Sequence, residues 1–454
     1  MDHETNPPDS TSGDTKGEGG EAAFSEPPSD ATSPGAASGA GDPPEGPGQA
    51  NGGGSSGASP VVVGIGEEVP TPHEAGKPTA FDRVKTLLVG KPRDLADQSI
   101  FKHVSLVAFL AWVGLGADGL SSSCYGPAEA FANLGEHRYL AVFLAGAIMV
   151  TVFIISACYS HIIEEFPSGG GGYLVASKLL GERVGAVSGC ALMVDYVLTV
   201  TVSIASAGDA LFSLGPPAWQ EWKLPAEVGL IFVLIVLNLR GVKESVQILT
   251  PIFLLFLLTH FVLIVGAVGM HFSSAGTLAQ NVYSEVRSGI GSPTFGFLAM
   301  LGLLLHAYSL GGGTYTGLEA VSNSMPVIRE PRVANAKRTM LYMACSLAFT
   351  AGGLILAYLL LDIRFREDKT MNYLLTASFL DEIGIGGGGL GFTFLWATLL
   401  SEGALLVVAA QAGFIGGPRT LGYMAHDSWA PRWFSTLSER LATENGILLM
   451  GASA

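Results

Sequence analysis

The chain has 454 residues, a formal net charge of −15 and a mean hydropathy of +0.42. So apolar an average excludes a water-soluble globular domain and points to an all-α integral membrane protein. The acidity does not call for a basic partner such as a cationic surface, and no basic patch calls for nucleic acid: residues 1–76 hold 13 acids and one Lys, and the rest is nearly balanced.

Residues 1–76 read as a disordered, acidic cytoplasmic tail. Gly and Pro fill 22 of the first 60 positions, so this segment cannot bury enough apolar surface to order itself. It has no apolar run and hence no secretory signal. Residues 77–103 form a basic juxtamembrane segment, and Phe81–Ile100 is partly amphipathic, as expected of a stretch lying on the cytoplasmic surface.

From residue 104 the chain reads as a transporter core. A membrane span needs roughly 20 apolar residues. Eight segments qualify: Val104–Leu134, Tyr139–Ile163, Gly185–Leu214, Pro225–Leu239, Val246–Phe272, Pro293–Met325, Asn335–Leu361 and Leu390–Ile415. A ninth apolar run starts at Gly446 and the sequence stops at Ala454, so the core reads as truncated after its eighth span. A homo-oligomer would then cover the flank left open.

The first and sixth spans are interrupted. The first carries ADGLSSSCYGP, Ala117 to Pro127, with an acid at Asp118. The sixth carries SLGGGTYTGLEA, Ser309 to Ala320, with Thr316 and Glu319. A polar, Gly-rich break at membrane depth is costly unless it lines a cavity. Each break alone is also compatible with a small-residue packing site. Two breaks five segments apart, each with an acid, match the discontinuous helices of an inverted-repeat transporter.

The third span holds VDYVLTVTVSIASAGDA, in which Tyr196, Thr199 and Ser203 share one helical face. Three hydroxyls there can line a hydrophilic path or hydrogen-bond to a neighbouring helix. Asp195 shares a face with Thr199 and either pairs with a cation or lies near the cytoplasmic interface. Asp209 belongs at the outer end. His260 and His306 read as packing residues. Glu402, in the eighth span, is an acid with no visible partner.

The four cysteines, Cys124, Cys158, Cys190 and Cys345, lie in spans without ligand spacing and read as small apolar residues. The loop EEFPSGGGGYLVASKLLGER has no strand before it and no GK[ST] after it, so it reads as the entry to a short helix and not as a phosphate loop. No catalytic constellation or resident cofactor site is visible, so an enzyme is not expected. Lys and Arg in alternate loops number 17 against six, which places the N-terminus in the cytoplasm of a multi-pass plasma-membrane protein.

Several of these segments together resemble the amino acid–polyamine–organocation superfamily. They are EFPSGGGGYLVA, NLRGVKES and TGLEAVSNSMPVIREPRVANAKRT. The set VGKPR, GADGLSSSCYGPAEA, VDYVLTVTVSIASAGDA and QAGFIGGPRTLGYMAHDSWAPRWF is similar to its Kup/KimA-type branch of potassium–proton symporters, from about Leu87 to the end. The resemblance implies a LeuT-type inverted repeat that holds a monovalent cation beside the two breaks. Its site would comprise Asp118, Tyr125, Tyr196, Thr199, Ser203, Thr316 and Glu319, with Glu319 and Asp118 carrying the coupled proton. Only Tyr125 is added by the resemblance. Potassium is a hard cation that suits carboxylate, hydroxyl and carbonyl oxygens. An amino acid or other organic permease is the alternative on the same fold, and an inactive remnant or membrane scaffold is the alternative of another class. Asp118 argues against a carboxylate-bearing substrate at the first break, which it would repel.

Overall fold

A computed structural model describes residues 106–454 except 170, 242–245, 294 and 439–441. The chain divides into two units, 1–73 and 74–454, and the described residues all lie in the second. The acidic tail and the basic segment 77–103 fall outside the described residues.

The described residues are helical, with two isolated bridges and no strand. In chain order the helices are α1 (Ala108–Ser121), α2 (Gly126–Ala132), α3 (Ala141–Glu165), α4 (Gly171–Leu180), α5 (Glu182–Phe212), α6 (Lys223–Leu239) and α7 (Val246–Met270). There follow α8 (Ala275–Gly291), α9 (Gly296–Leu310), α10 (Ala320–Asn323), α11 (Arg332–Leu360), α12 (Met371–Glu382), α13 (Gly389–His426) and α14 (Glu444–Ser453). Among the described residues, seven helical stretches are long and apolar enough to cross a membrane. They correspond to the second through eighth predicted spans. The first predicted span is present as two pieces, α1 and α2, of 14 and seven residues, each too short to cross alone. Large apolar side chains such as Ile154, Phe232 and Leu258 stand outward on α3, α6 and α7, as lipid-facing surfaces require.

Among the described residues, α4, α8 and α12 lie outside both the predicted spans and the ninth apolar run. The Gly-rich loop does open into a short helix, α4, which the Tyr173 hydroxyl ties to Asp427 at the end of α13 (2.6 Å). The connectors after the fifth and seventh spans contain α8 and α12. At 17 and 12 residues, and with few acidic or basic side chains, neither has the length or apolarity of a span.

Helix α11 packs along α3 and α1, and α13 packs along α5, α7 and α1. Two apolar clusters meet at the first interrupted segment. One joins Phe131, Leu144, Ile148 and Tyr358; the other joins Leu120, Cys124, Phe253 and Leu405. The interrupted segments are also tied at their ends. Leu106 N–H donates to the Val327 carbonyl and Arg329 N–H donates to the Leu106 carbonyl, both at 2.9 Å. The start of the first segment is thereby fixed to the exit of the sixth.

Cys124 is buried at the first break, whereas Cys158, Cys190 and Cys345 stand on the outer surfaces of their helices, all as free thiols. His260 is a packing residue as expected: its Nδ1 faces the Phe256 carbonyl at 2.9 Å and its ring lies 3.9 Å from the Phe256 ring. The expectation for His306 does not hold. Its side chain is exposed on α9, whose buried residues are Met300 and Ala307.

Candidate functional site

The first break starts later than its sequence suggests. Helix α1 runs through Asp118 to Ser121, and a single 3-10 turn, Ser122–Cys124, follows. Three successive serines cause this. The hydroxyls of Ser121, Ser122 and Ser123 donate back to the carbonyls of Asp118, Gly119 and Leu120 at 2.6, 2.5 and 2.6 Å. These bonds occupy carbonyls that a continuing helix would have used. Pro127 then opens α2 in the first turn, where its missing N–H costs nothing. Asp118 thus sits on the last turn of a helix, half-buried, and not on unwound backbone.

The second break falls where it was expected. Helix α9 ends at Leu310 and a 3-10 turn spans Gly311–Tyr315. Thr316 is then extended and Gly317 turns back with φ of +82° before Glu319 leads into α10. The two breaks touch backbone to backbone. The single Ser122 hydroxyl proton is shared between the Gly119 carbonyl and, across the breaks, the Thr314 carbonyl at 2.9 Å. A Cβ on Gly317 would lie 2.6 Å from the Gly119 nitrogen, and one on Gly126 would lie 2.9 Å from the Thr314 nitrogen. Only glycine at both positions allows this approach.

A cavity of about 530 Å³ opens beside the paired breaks. It is lined by Tyr125, Asp195, Thr199, Gly313 and Thr316, with Glu129 and Ser206 toward one end. Of the seven residues predicted for the site, it gathers Tyr125, Thr199 and Thr316. Tyr196 lies one step away, where its hydroxyl accepts from Asn323 Nδ2 at 3.3 Å and lines a separate pocket with Gly416, Arg419 and Thr420. These two pockets have no lining residue in common. Asp118, Asp195 and Glu319 all stand close enough to the Tyr196 hydroxyl to interact with it electrostatically. Glu319 is 8% exposed and faces the backbone amides of Gly317 and its own residue. Ser203 is fully buried in α5, its hydroxyl without a hydrogen-bond partner, and does not line the cavity.

The cavity therefore presents the acids Asp195 and Glu129 and the hydroxyl residues Tyr125, Thr199, Ser206 and Thr316, with no basic side chain in its lining. Such a donor set attracts a cation of modest hydration cost.

The model of the amino acid permease family matches residues 105–453. The chain belongs to that family. It is 32% identical over 376 residues to the potassium transporter KimA of Bacillus subtilis (strain 168), a match that covers 82% of this chain and 58% of the relative. It is 25% identical over 239 residues to the methylthioribose transporter of the same strain, covering 45% of this chain and 48% of the relative. The chain spans less than two thirds of the length of either relative. The superfamily and the KimA-type branch read from the motifs are borne out. The permease is a multi-pass membrane protein whose relatives are transporters.

Sequence reasoning left Asp195 out of the predicted set, although it lines the cavity of this permease. Its i, i+4 relation to Thr199, which is also in the lining, was the available signal. A second cavity of about 240 Å³ adjoins the first, sharing Tyr125, Glu129 and Ser206 with it. It is a vestibule that also bears Asp209, Arg366, Glu367, Asp368, Lys369 and Glu402. Its two cations are engaged: Arg366 makes a two-pronged pair with Asp368 (3.0 and 2.9 Å), and Lys369 donates to the Ser213 carbonyl and lies over the Tyr373 ring.

Proposed function

We propose that the permease imports potassium, or a similar monovalent cation, coupled to protons. One observation carries this reading: the cavity beside the touching breaks pairs the hydroxyls of Tyr125, Thr199 and Thr316 with the carboxylate of Asp195, and Asp118 and Glu319 stand nearby. The cation would rest among these oxygens. Asp118 and Asp195 supply charge, and Glu319, buried between α10 and the cavity, exchanges the coupled proton, a role that Asp118 shares. Tyr196, between the cavity and the pocket at Arg419, would separate the two sides in this conformation. The Lys and Arg bias places the Arg419 pocket on the cytoplasmic side and the vestibule outside, in the plasma membrane with the N-terminus in the cytoplasm.

The likeness to a potassium transporter supports the cation. The match to a methylthioribose transporter and a cavity of about 530 Å³, roomy for a bare ion, favour a second reading, transport of an uncharged or cationic organic solute. Rubidium uptake in cells that lack their own potassium importers tests the choice. Uptake that Asp118→Asn abolishes and that Glu319→Gln frees from its dependence on a proton gradient, while membrane insertion is kept, is the expected result. Wild-type uptake by both variants would exclude the cation reading.

A further inference from the structure

Helix α12 carries Asn372 into the bundle, where it is 1% exposed between α11, α13 and the first break. The Tyr358 hydroxyl donates to Asn372 Oδ1, which fixes which way the amide points. Asn372 Nδ2 then donates both to Glu402 Oε1 at 3.0 Å and to the Cys124 carbonyl at 3.3 Å. Glu402 is 2% exposed, and its Oε2 has no hydrogen-bond partner. The residue nevertheless lines the vestibule, beside Cys124, Tyr125, Ser206 and Met371.

A carboxylate anion removed from water needs a cation or several donors to offset its lost hydration. Glu402 has one neutral amide. Among the described residues no Lys, Arg or His is paired with it; Arg366 and Lys369 of the same vestibule are committed elsewhere. The titratable groups that face it are the Cys124 thiol beside the first break and the Tyr358 phenol on α11, both of which sense its charge and neither of which is cationic. From the vestibule come the acids Glu129 on α2 and Glu367, with Asp209 paired to Lys223 and Asp368 paired to Arg366.

We propose that Glu402 is a proton-binding site distinct from the cation cavity. It exchanges its proton with the vestibule and reports its state to the first break through Asn372. When Glu402 loses the proton, its Oε1 draws the Nδ2 donor more strongly, at the expense of the bond to the Cys124 carbonyl. This deepens the proton-coupled reading, since it gives the proton a station on the vestibule side.

Infrared spectra of the purified chain, taken as pH is stepped, test the site directly. A protonated-carboxyl C=O band that titrates in the wild type, persists in Glu319→Gln and disappears in Glu402→Gln is the expected result. Asn372→Leu keeps Glu402 but removes its donor, so the same band should shift in frequency; this covers the case in which Glu402→Gln does not fold. Identical spectra for wild type and Glu402→Gln, or an unshifted band in Asn372→Leu, would overturn the proposal. The test separates it from the transport reading: band loss in Glu402→Gln from a wild type that takes up no rubidium would support the proton site and reject cation symport.

Discussion

The Ser122 hydroxyl donates to the Thr314 carbonyl at 2.9 Å across 192 residues of sequence, and this bond joins the two interrupted helices at their unwound centres. Around it, Gly317 meets Gly119 and Gly126 meets Thr314 with no room for a side chain. The cavity opens beside this contact, next to Gly313 and Thr316.

Gly317→Ala should therefore damage both folding and transport. The residue has a φ of +82°, and its new methyl would meet the Gly119 nitrogen and the Asp118 carbonyl carbon, which are backbone atoms that cannot swing aside. Strain of this kind costs about 1–3 kcal/mol, and overpacking adds to it. A melting temperature several degrees lower in detergent is expected. Ser122→Ala, which loses the hydroxyl's contacts with the Thr314 and Gly119 carbonyls but adds no strain, should cost only about 1 kcal/mol.

Thr199 and Ser203 separate by position. Thr199 lines the cavity, and Ser203, one turn on, does not. Thr199→Val should raise the half-saturating rubidium concentration by about tenfold, the ~1.4 kcal/mol equivalent of one lost polar contact. Ser203→Ala should leave that concentration unchanged. Equal effects of the two variants in concentration-dependent uptake would show that the cavity lining does not define the ion's ligands.

Asp195→Asn should reduce uptake as severely as Asp118→Asn, whereas Asp209→Asn should not. Asp195 faces the cavity, while Asp209 pairs with Lys223 at the exposed end of α5. An exposed pair of this kind contributes little. Initial rates of rubidium uptake at equal surface expression make the comparison.

Glu319→Gln should leave proteoliposome flux indifferent to an imposed pH gradient, because the amide keeps the shape of the acid and cannot exchange a proton. Wild-type flux should rise when the proton gradient points the same way as the cation. A variant with an unaltered response to the gradient would remove Glu319 from coupling.

Asn238 and Gln411 form a reciprocal amide pair between α6 and α13. Asn238 Nδ2 donates to Gln411 Oε1 at 2.9 Å, and Gln411 Nε2 donates to Asn238 Oδ1 at 3.0 Å. Asn238→Leu alone leaves the buried glutamine amide without its partner and should cost roughly 1–3 kcal/mol. The double variant with Gln411→Leu should recover much of that loss in thermal melts, because both partners are then apolar.

Much of this permease is legible in its residue order, because a bilayer imposes strict local rules. Length and apolarity pick out the spans from Tyr139 to Ile415, since unpaired backbone is excluded from hydrocarbon. The same rule makes the polar stretches at Ala117–Pro127 and Ser309–Ala320 stand out, together with the acids Asp118 and Glu319. Helical periodicity alone aligns Tyr196, Thr199 and Ser203 on one buried face of α5. Tertiary structure decided what that face meets. Tyr196 turns to Asn323, Thr199 to the cavity and Ser203 into packed helix. It also decided that Asp195 belongs to the lining and that Glu402 has a partner. Asn372 comes from a connector too short to announce itself as a span, and its amide acquires meaning only when α12 folds back between Tyr358 and α13. Periodicity is a property of one helix, whereas a cavity lined by single side chains from several helices depends on which helices adjoin, and that is settled by packing over the whole chain.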